Sequence, residues 1–131
     1  MNLFDLSLRL NGFPIRKAEI ALEEIGQKND VACGDYIIYK KQEIVAYHLK
    51  HTPFYKSLAK SINLEDWNTV PIMTKRNLQQ PLNERLSEGF STNNVYINKT
   101  SGSSGDPFIF AKDKFCHALT RSTPKDRFGG L

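Results

Sequence analysis

Hydrophobic residues in the first half of the chain recur at helical intervals. Ala18, Ala21, Leu22 and Ile25 stand at i, i+3, i+4 and i+7, one apolar stripe along a helix. Pro14 suits the first turn of that helix, where its missing N–H costs nothing, and Gly26 is a natural stop. Residues 28–34 read as a loop. From Asp35 a second helix is expected, with Ile37, Ile38, Ile44, Val45 and Leu49 a turn or two apart. It closes near Thr52, because Pro53 pushes the residue before it out of helical geometry. Residues 54–62 predict a short third helix.

The period then changes. Residues 64–73 form a connector, with Trp67, Val70 and Ile72 expected to pin it to a core. Thr74 predicts the N-cap of a short helix through Gln79, and Pro81 stops it. Val95-Tyr96-Ile97 and Phe108-Ile109-Phe110 have strand character on either side of a Gly/Ser-rich loop. Residues 113–119 return to helix. The order predicts an α/β fold, a partial N-terminal domain over 1–131, mainly helical to residue 90 and strand–loop–strand–helix from residue 91.

Composition narrows the class only a little. A chain of 131 residues with 40% hydrophobic and 24% charged residues fits one folded domain and not a disordered chain. No apolar run approaches the ~20 residues of a membrane span. Met1 to Phe13 carries acidic Asp5 and lacks the order of a secretory leader. With only Cys33 and Cys116, far apart, the expectation is reduced thiols and a cytoplasmic location. Residues 1–35 carry net charge −2 and the remainder +6, within an overall +4. That basic half points to an anionic partner, nucleic acid or a nucleotide phosphate, without choosing between them.

The stretch that carries chemistry is Lys99-Thr100-Ser101-Gly102-Ser103-Ser104-Gly105-Asp106-Pro107. A phosphate chain needs many donors at once and no bulky side chain in the way. Glycines permit close backbone approach and expose successive N–H groups, while Thr100, Ser101, Ser103 and Ser104 add hydroxyls. Lys99 and Lys112 are candidate sources of positive charge nearby. The spacing is not that of the Walker loop. A flexible Gly/Ser connector is the competing reading, and Asp106, repulsive to phosphate, favours it.

Thr100-Ser-Gly-Ser-Ser-Gly-Asp-Pro107 is similar to the Thr-Ser-Gly-[Ser/Thr]-[Ser/Thr]-Gly-x-Pro signature of adenylate-forming enzymes. Gln42-Glu43-Ile44, Tyr47-His48-Leu49-Lys50-His51-Thr52-Pro53-Phe54-Tyr55, Trp67-x-x-Val70-Pro71-Ile72-Met73-Thr74-Lys75-x-x-Leu78 and 108–120 follow in the order seen in phenylacetate-CoA ligase-like proteins. That branch includes the CapK proteins linked to capsular polysaccharide synthesis. The resemblance implies a ligase that turns a carboxylic acid and ATP, with magnesium, into an acyl-adenylate, then usually an acyl-CoA. It implies that Thr100, Ser101, Gly102, Ser103, Ser104 and Gly105 hold the triphosphate tail, with no catalytic residue or metal ligand in this segment. Many relatives place a lysine after the proline, where this chain has Phe108. The acid pocket, the coenzyme A site and the catalytic lysine lie beyond the matched segment, so this chain is expected to be inactive alone. Self-association through an uncovered sheet edge is a further expectation. The alternative is a standalone, non-catalytic nucleotide- or anion-binding module, or a degenerate remnant.

Other constellations carry less. His48 and His51 share a helix face, but no ligand set of metal spacing accompanies them, so surface or capping roles are expected. Cys116-His117 reads as a buried cysteine beside a partly exposed histidine, since helix neighbours point apart. Tyr36, Tyr39, Tyr47, Phe54 and Tyr55 among lysines read as core with a solvated rim, in preference to an RNA-binding face. Asn98-Lys99-Thr100 matches a glycosylation site only by coincidence in a chain without a leader.

Overall fold

The computed structural model describes residues 3–101, 105 and 107–122, residues 3–5 by backbone alone. Within them the chain is helix-rich, with one two-stranded antiparallel sheet. The helices are α1 (Leu3–Leu10), α2 (Ile15–Gly26), α3 (Asp30–His51), α4 (Pro53–Leu58), α5 (Leu82–Arg85) and α6 (Lys114–Ser122). The strands are β1 (Tyr96–Lys99) and β2 (Ile109–Lys112), with short 3₁₀ turns at Trp67–Thr69 and Asn77–Gln79. None of these helices is long and apolar enough to cross a membrane.

Helix α1 occupies a stretch where the hydrophobic pattern predicted no element. Its stop is a glycine device. Gly12 adopts φ +76°, its N–H bonds to the Arg9 carbonyl, and the Phe13 N–H reaches back to the Leu8 carbonyl at 3.0 Å. Those two bonds satisfy the last carbonyls of the helix, and Phe13 packs against the cluster that includes Leu8. The reversal lays α1 beside α2, whose Ala18 is fully buried.

The core is small and joins the two ends of the chain. Leu8, Ile15, Ala18 and Ala118 form it, with Phe13, Phe115 and Leu119 against its rim. Ala18 and Ala118 are both 0% exposed, so α2 and α6 meet where neither has a side chain beyond Cβ. Lys114 Nζ donates to the Asn11 carbonyl at 2.9 Å and stands 5.5 Å from the Phe13 ring, while Lys17 Nζ lies over Phe115.

Several boundaries differ from the sequence expectation. Helix α3 begins at Asp30, inside the expected 28–34 loop, because the Asn29 side chain accepts from the Ala32 N–H and caps it. α4 ends at Leu58 and not at residue 62. Thr74 does bond Asn77, but the turn it starts is 3₁₀, and Pro81 precedes a further helical turn, α5. The strands sit one residue later than the apolar triplets that suggested them.

The connector is held by polar contacts, contrary to expectation. Ile72 is 92% exposed and Trp67 about half so. Gln42 Nε2 donates to the Leu64 carbonyl, and Lys41 Nζ lies 5.4 Å from the Trp67 ring. The tyrosines of α3 are not core either: Tyr39 is 58% exposed, and Tyr47 is also exposed. Lys40 lies over both Tyr36 and Tyr39, and Lys28 over Tyr36, so cations cover the ring faces at the surface.

Gly12→Ala should lower stability by about 1–2 kcal/mol, since an L-residue resists the left-handed region. An added Cβ would meet only the flexible end of Lys114 at 3.4 Å, so the backbone supplies the cost. Urea denaturation measures it, and an unchanged midpoint would mean that this turn does not hold α1.

Candidate functional site

The loop at 100–107 joins β1 to β2, and its two ends are tied together. The Thr100 N–H donates to the Phe108 carbonyl at 2.9 Å, and the Phe108 N–H donates to Thr100 Oγ1 at 2.9 Å. This pair extends the ladder by one rung beyond Lys99↔Ile109. The alternation then places Asn98 and Phe110 in a hydrogen-bonded rung, while the main-chain groups of Lys99 and Ile109 point outward. Arg85 takes up one of these, its Nη2 donating to the Ile109 carbonyl at 2.7 Å. Arg85 Nε donates to the Gln80 carbonyl, and the guanidinium lies 5.8 Å from the Phe108 ring. Phe108 therefore closes the neck of the loop and lies against Arg85.

This closure changes what the loop offers an anion. The Thr100 amide is spent on Phe108, so Thr100 contributes only its hydroxyl proton. Ser101 and Gly105 are exposed, and Gly105 has φ +97°, a conformation open to glycine. Gly102, Ser103 and Ser104, with Asp106, lie outside the described residues.

The two candidate lysines fare differently. Lys99 is the last residue of β1, exposed and adjacent to the loop. Lys112 pairs with Tyr96 at the other end of the hairpin, three residues from Ile109 and thus ~10 Å along the strand. Its Nζ lies 3.5 Å from Thr120 Oγ1 and 5.9 Å from the Phe110 ring. It is not a loop cation. Lys75, which the charge pattern did not single out, lines a cleft of about 320 Å³ together with Leu78, Thr100 and Phe108. Its signal in the sequence was the adjacent Thr74-x-x-Asn77 cap, which sets the turn carrying Lys75 and Leu78.

A second hollow, about 410 Å³, lies between α3, α5 and the sheet. Its lining is mainly apolar, including Ile44, Leu82, Phe90, Val95 and Phe110. At its edge His48 Nδ1 lies 2.7 Å from Thr52 Oγ1, itself 2.6 Å from Ser87 Oγ. This chain of hydroxyls ties the end of α3 to the segment after α5, and burial pushes the His48 pKa below its ordinary value. His51 Nδ1 lies 3.8 Å from Glu88 Oε2. Among the described residues no group of three or more His, Cys, Asp or Glu is placed to hold a metal ion.

The Cys116–His117 expectation is reversed. His117 is 5% exposed, whereas Cys116 is exposed. Asp113 caps the first turn of α6, its carboxylate accepting from the Cys116 N–H at 2.6 Å, and His117 faces Tyr96 of β1 and Phe13. The Cys116 thiol is pushed above its usual pKa by burial and then by Asp113, so it is no ready nucleophile.

Comparison of the chain with protein-family models, curated proteins and solved structures finds no match.

The geometry separates the lysines by experiment. Lys75→Ala should weaken tripolyphosphate binding by roughly two- to fivefold, the range of an exposed ion pair. Lys112→Ala should leave it unchanged at 0.15 M salt, where charges ~8 Å away are screened. Equal losses in calorimetric titrations would remove the distinction.

Proposed function

We propose that this chain supplies the phosphate-holding segment of an ATP-dependent carboxylate-activating ligase of the phenylacetate-CoA ligase/CapK type. The observation that carries the reading is the Thr100–Pro107 signature, closed at its neck by the reciprocal Thr100–Phe108 pair. That pair holds the two ends of the loop together, which favours a held loop over a free linker. The loop's anion capacity rests on backbone amides beyond Thr100, on serine and threonine hydroxyls, and on Lys75 and Lys99 at its flank.

In this role the segment orients the β- and γ-phosphates of ATP and stabilises pyrophosphate as it leaves. That is electrostatic assistance, with no proton transferred by these residues. Bound magnesium would offset phosphate charge. The carboxylic acid and the coenzyme A acceptor would be held by partner segments outside the motifs present here. A role in polysaccharide synthesis follows only from the CapK likeness.

Tripolyphosphate binding tests the loop. The wild-type chain should bind it saturably at low salt, and Gly102→Val should abolish binding while leaving the helical circular dichroism unchanged. Equal affinity of the two chains would eliminate the phosphate role. ATP–pyrophosphate exchange tests the division of labour: the 131-residue chain should show none. Robust exchange would show that a complete active site is already present.

A further inference from the structure

The side chain of His117 is placed where a non-titrating aromatic ring would be expected. Its imidazole stacks on the Tyr96 ring at 3.6 Å and 20°, and Phe13 meets it edge-on at 5.3 Å. Phe13 also meets Tyr96 edge-on, so the three rings form one cluster. The cluster joins the turn between α1 and α2, the first residue of β1, and the middle of α6. It therefore lies at the seam between the N-terminal helices and the hairpin unit.

Both ring nitrogens of His117 are buried without a hydrogen-bond partner among the described residues. A histidine kept for packing alone gains nothing over phenylalanine here, because an unpaired buried nitrogen costs about 1–3 kcal/mol. What imidazole adds is a proton site. We propose that the Phe13–Tyr96–His117 stack is an acid-released latch. With the ring neutral it holds α1 and α2 on α6 and β1, and protonation of the ring lets the N-terminal helices come away.

The charged and titratable surroundings fit this direction. Lys112 on β2 and Arg121 on α6 disfavour a second positive charge, adding to the larger effect of burial; together they hold the His117 pKa below its ordinary value. Lys114 of α6 sits over Phe13, and Lys17 of α2 over Phe115. On β1 the facing titratable group is the Tyr96 phenol, and α1 carries Arg9 in its last turn. The carboxylates of α2 at Glu19, Glu23 and Glu24 are exposed, and Asp113 is engaged with the Cys116 N–H. Among the described residues no carboxylate pairs with the His117 ring, which leaves an imidazolium only what the two aromatic faces supply.

The sign follows by linkage. The docked form disfavours the proton and the released form does not, so the released form binds more protons. The latch is fully held above the ordinary histidine value of about 6.5 and weakens as pH falls below it. The weakening levels off once pH passes the lowered pKa of the docked ring.

Amide hydrogen exchange of the whole chain, corrected for intrinsic rates, reads the latch. Between pH 7.5 and pH 5, α1 and α2 should lose protection while α3 keeps it. In His117→Phe the loss should disappear. Equal acid-induced loss in wild type and His117→Phe would overturn the proposal. If His117→Phe fails to fold, NMR titration of the wild-type ring beside the exchange data decides: protection of α1 and α2 lost as the ring protonates upholds the latch, and protection kept through that titration, or a ring pKa at or above that of free histidine, overturns it.

Discussion

Two alanines set how closely this chain can fold on itself. Ala18 and Ala118 are fully buried where α2 crosses α6, and any larger side chain there would push the helices apart. Everything else at that seam depends on the approach. Leu8 and Ile15 complete the cluster, Phe13, Phe115 and Leu119 pack against it, and Lys114 reaches the Asn11 carbonyl. The contact joins residues about a hundred positions apart, which fixes the N-terminal helices against the hairpin that carries the loop.

That arrangement leaves much apolar surface uncovered. α3, ~33 Å long at the usual helical rise, has Val45 as its one buried hydrophobic residue, while Val31, Ile37, Ile38 and Ile44 are exposed. Asn29 caps the start, and the His48–Thr52–Ser87 chain of hydrogen bonds secures the finish.

The loop illustrates how a local motif acquires a role from its frame. Its glycines and hydroxyls are a property of residues 100–107, but its shape at the neck comes from the ladder. The same ladder spends the Thr100 amide, places Lys112 at the far end, and leaves Lys99 beside the loop. Phe108 stacks on Phe110 and lies against the Arg85 guanidinium. Positive charge near the loop then comes from across the cleft, at Lys75.

The sequence alone determined the elements whose cause is local. The Ala18–Ile25 stripe, the stop imposed by Pro53, and the two apolar triplets around a Gly/Ser bend were all legible, because period, proline geometry and turn chemistry act over a few residues. So was the candidate loop, as a composition. Helix α1 and the early start of α3 were also written locally, in Gly12-Phe13 and Asn29, as cap signals in place of long stripes. Tertiary structure decided the rest. Which of Cys116 and His117 faces inward depended on the phase of α6 against α2, and the exposure of Trp67, Ile72 and Tyr39 depended on what packs above them. The remoteness of Lys112 depended on strand register, and the nearness of Lys75 on how the turn before α5 packs beside the hairpin. Burial and proximity belong to pairs of segments distant along the chain, and no single stretch of sequence contains both members of such a pair.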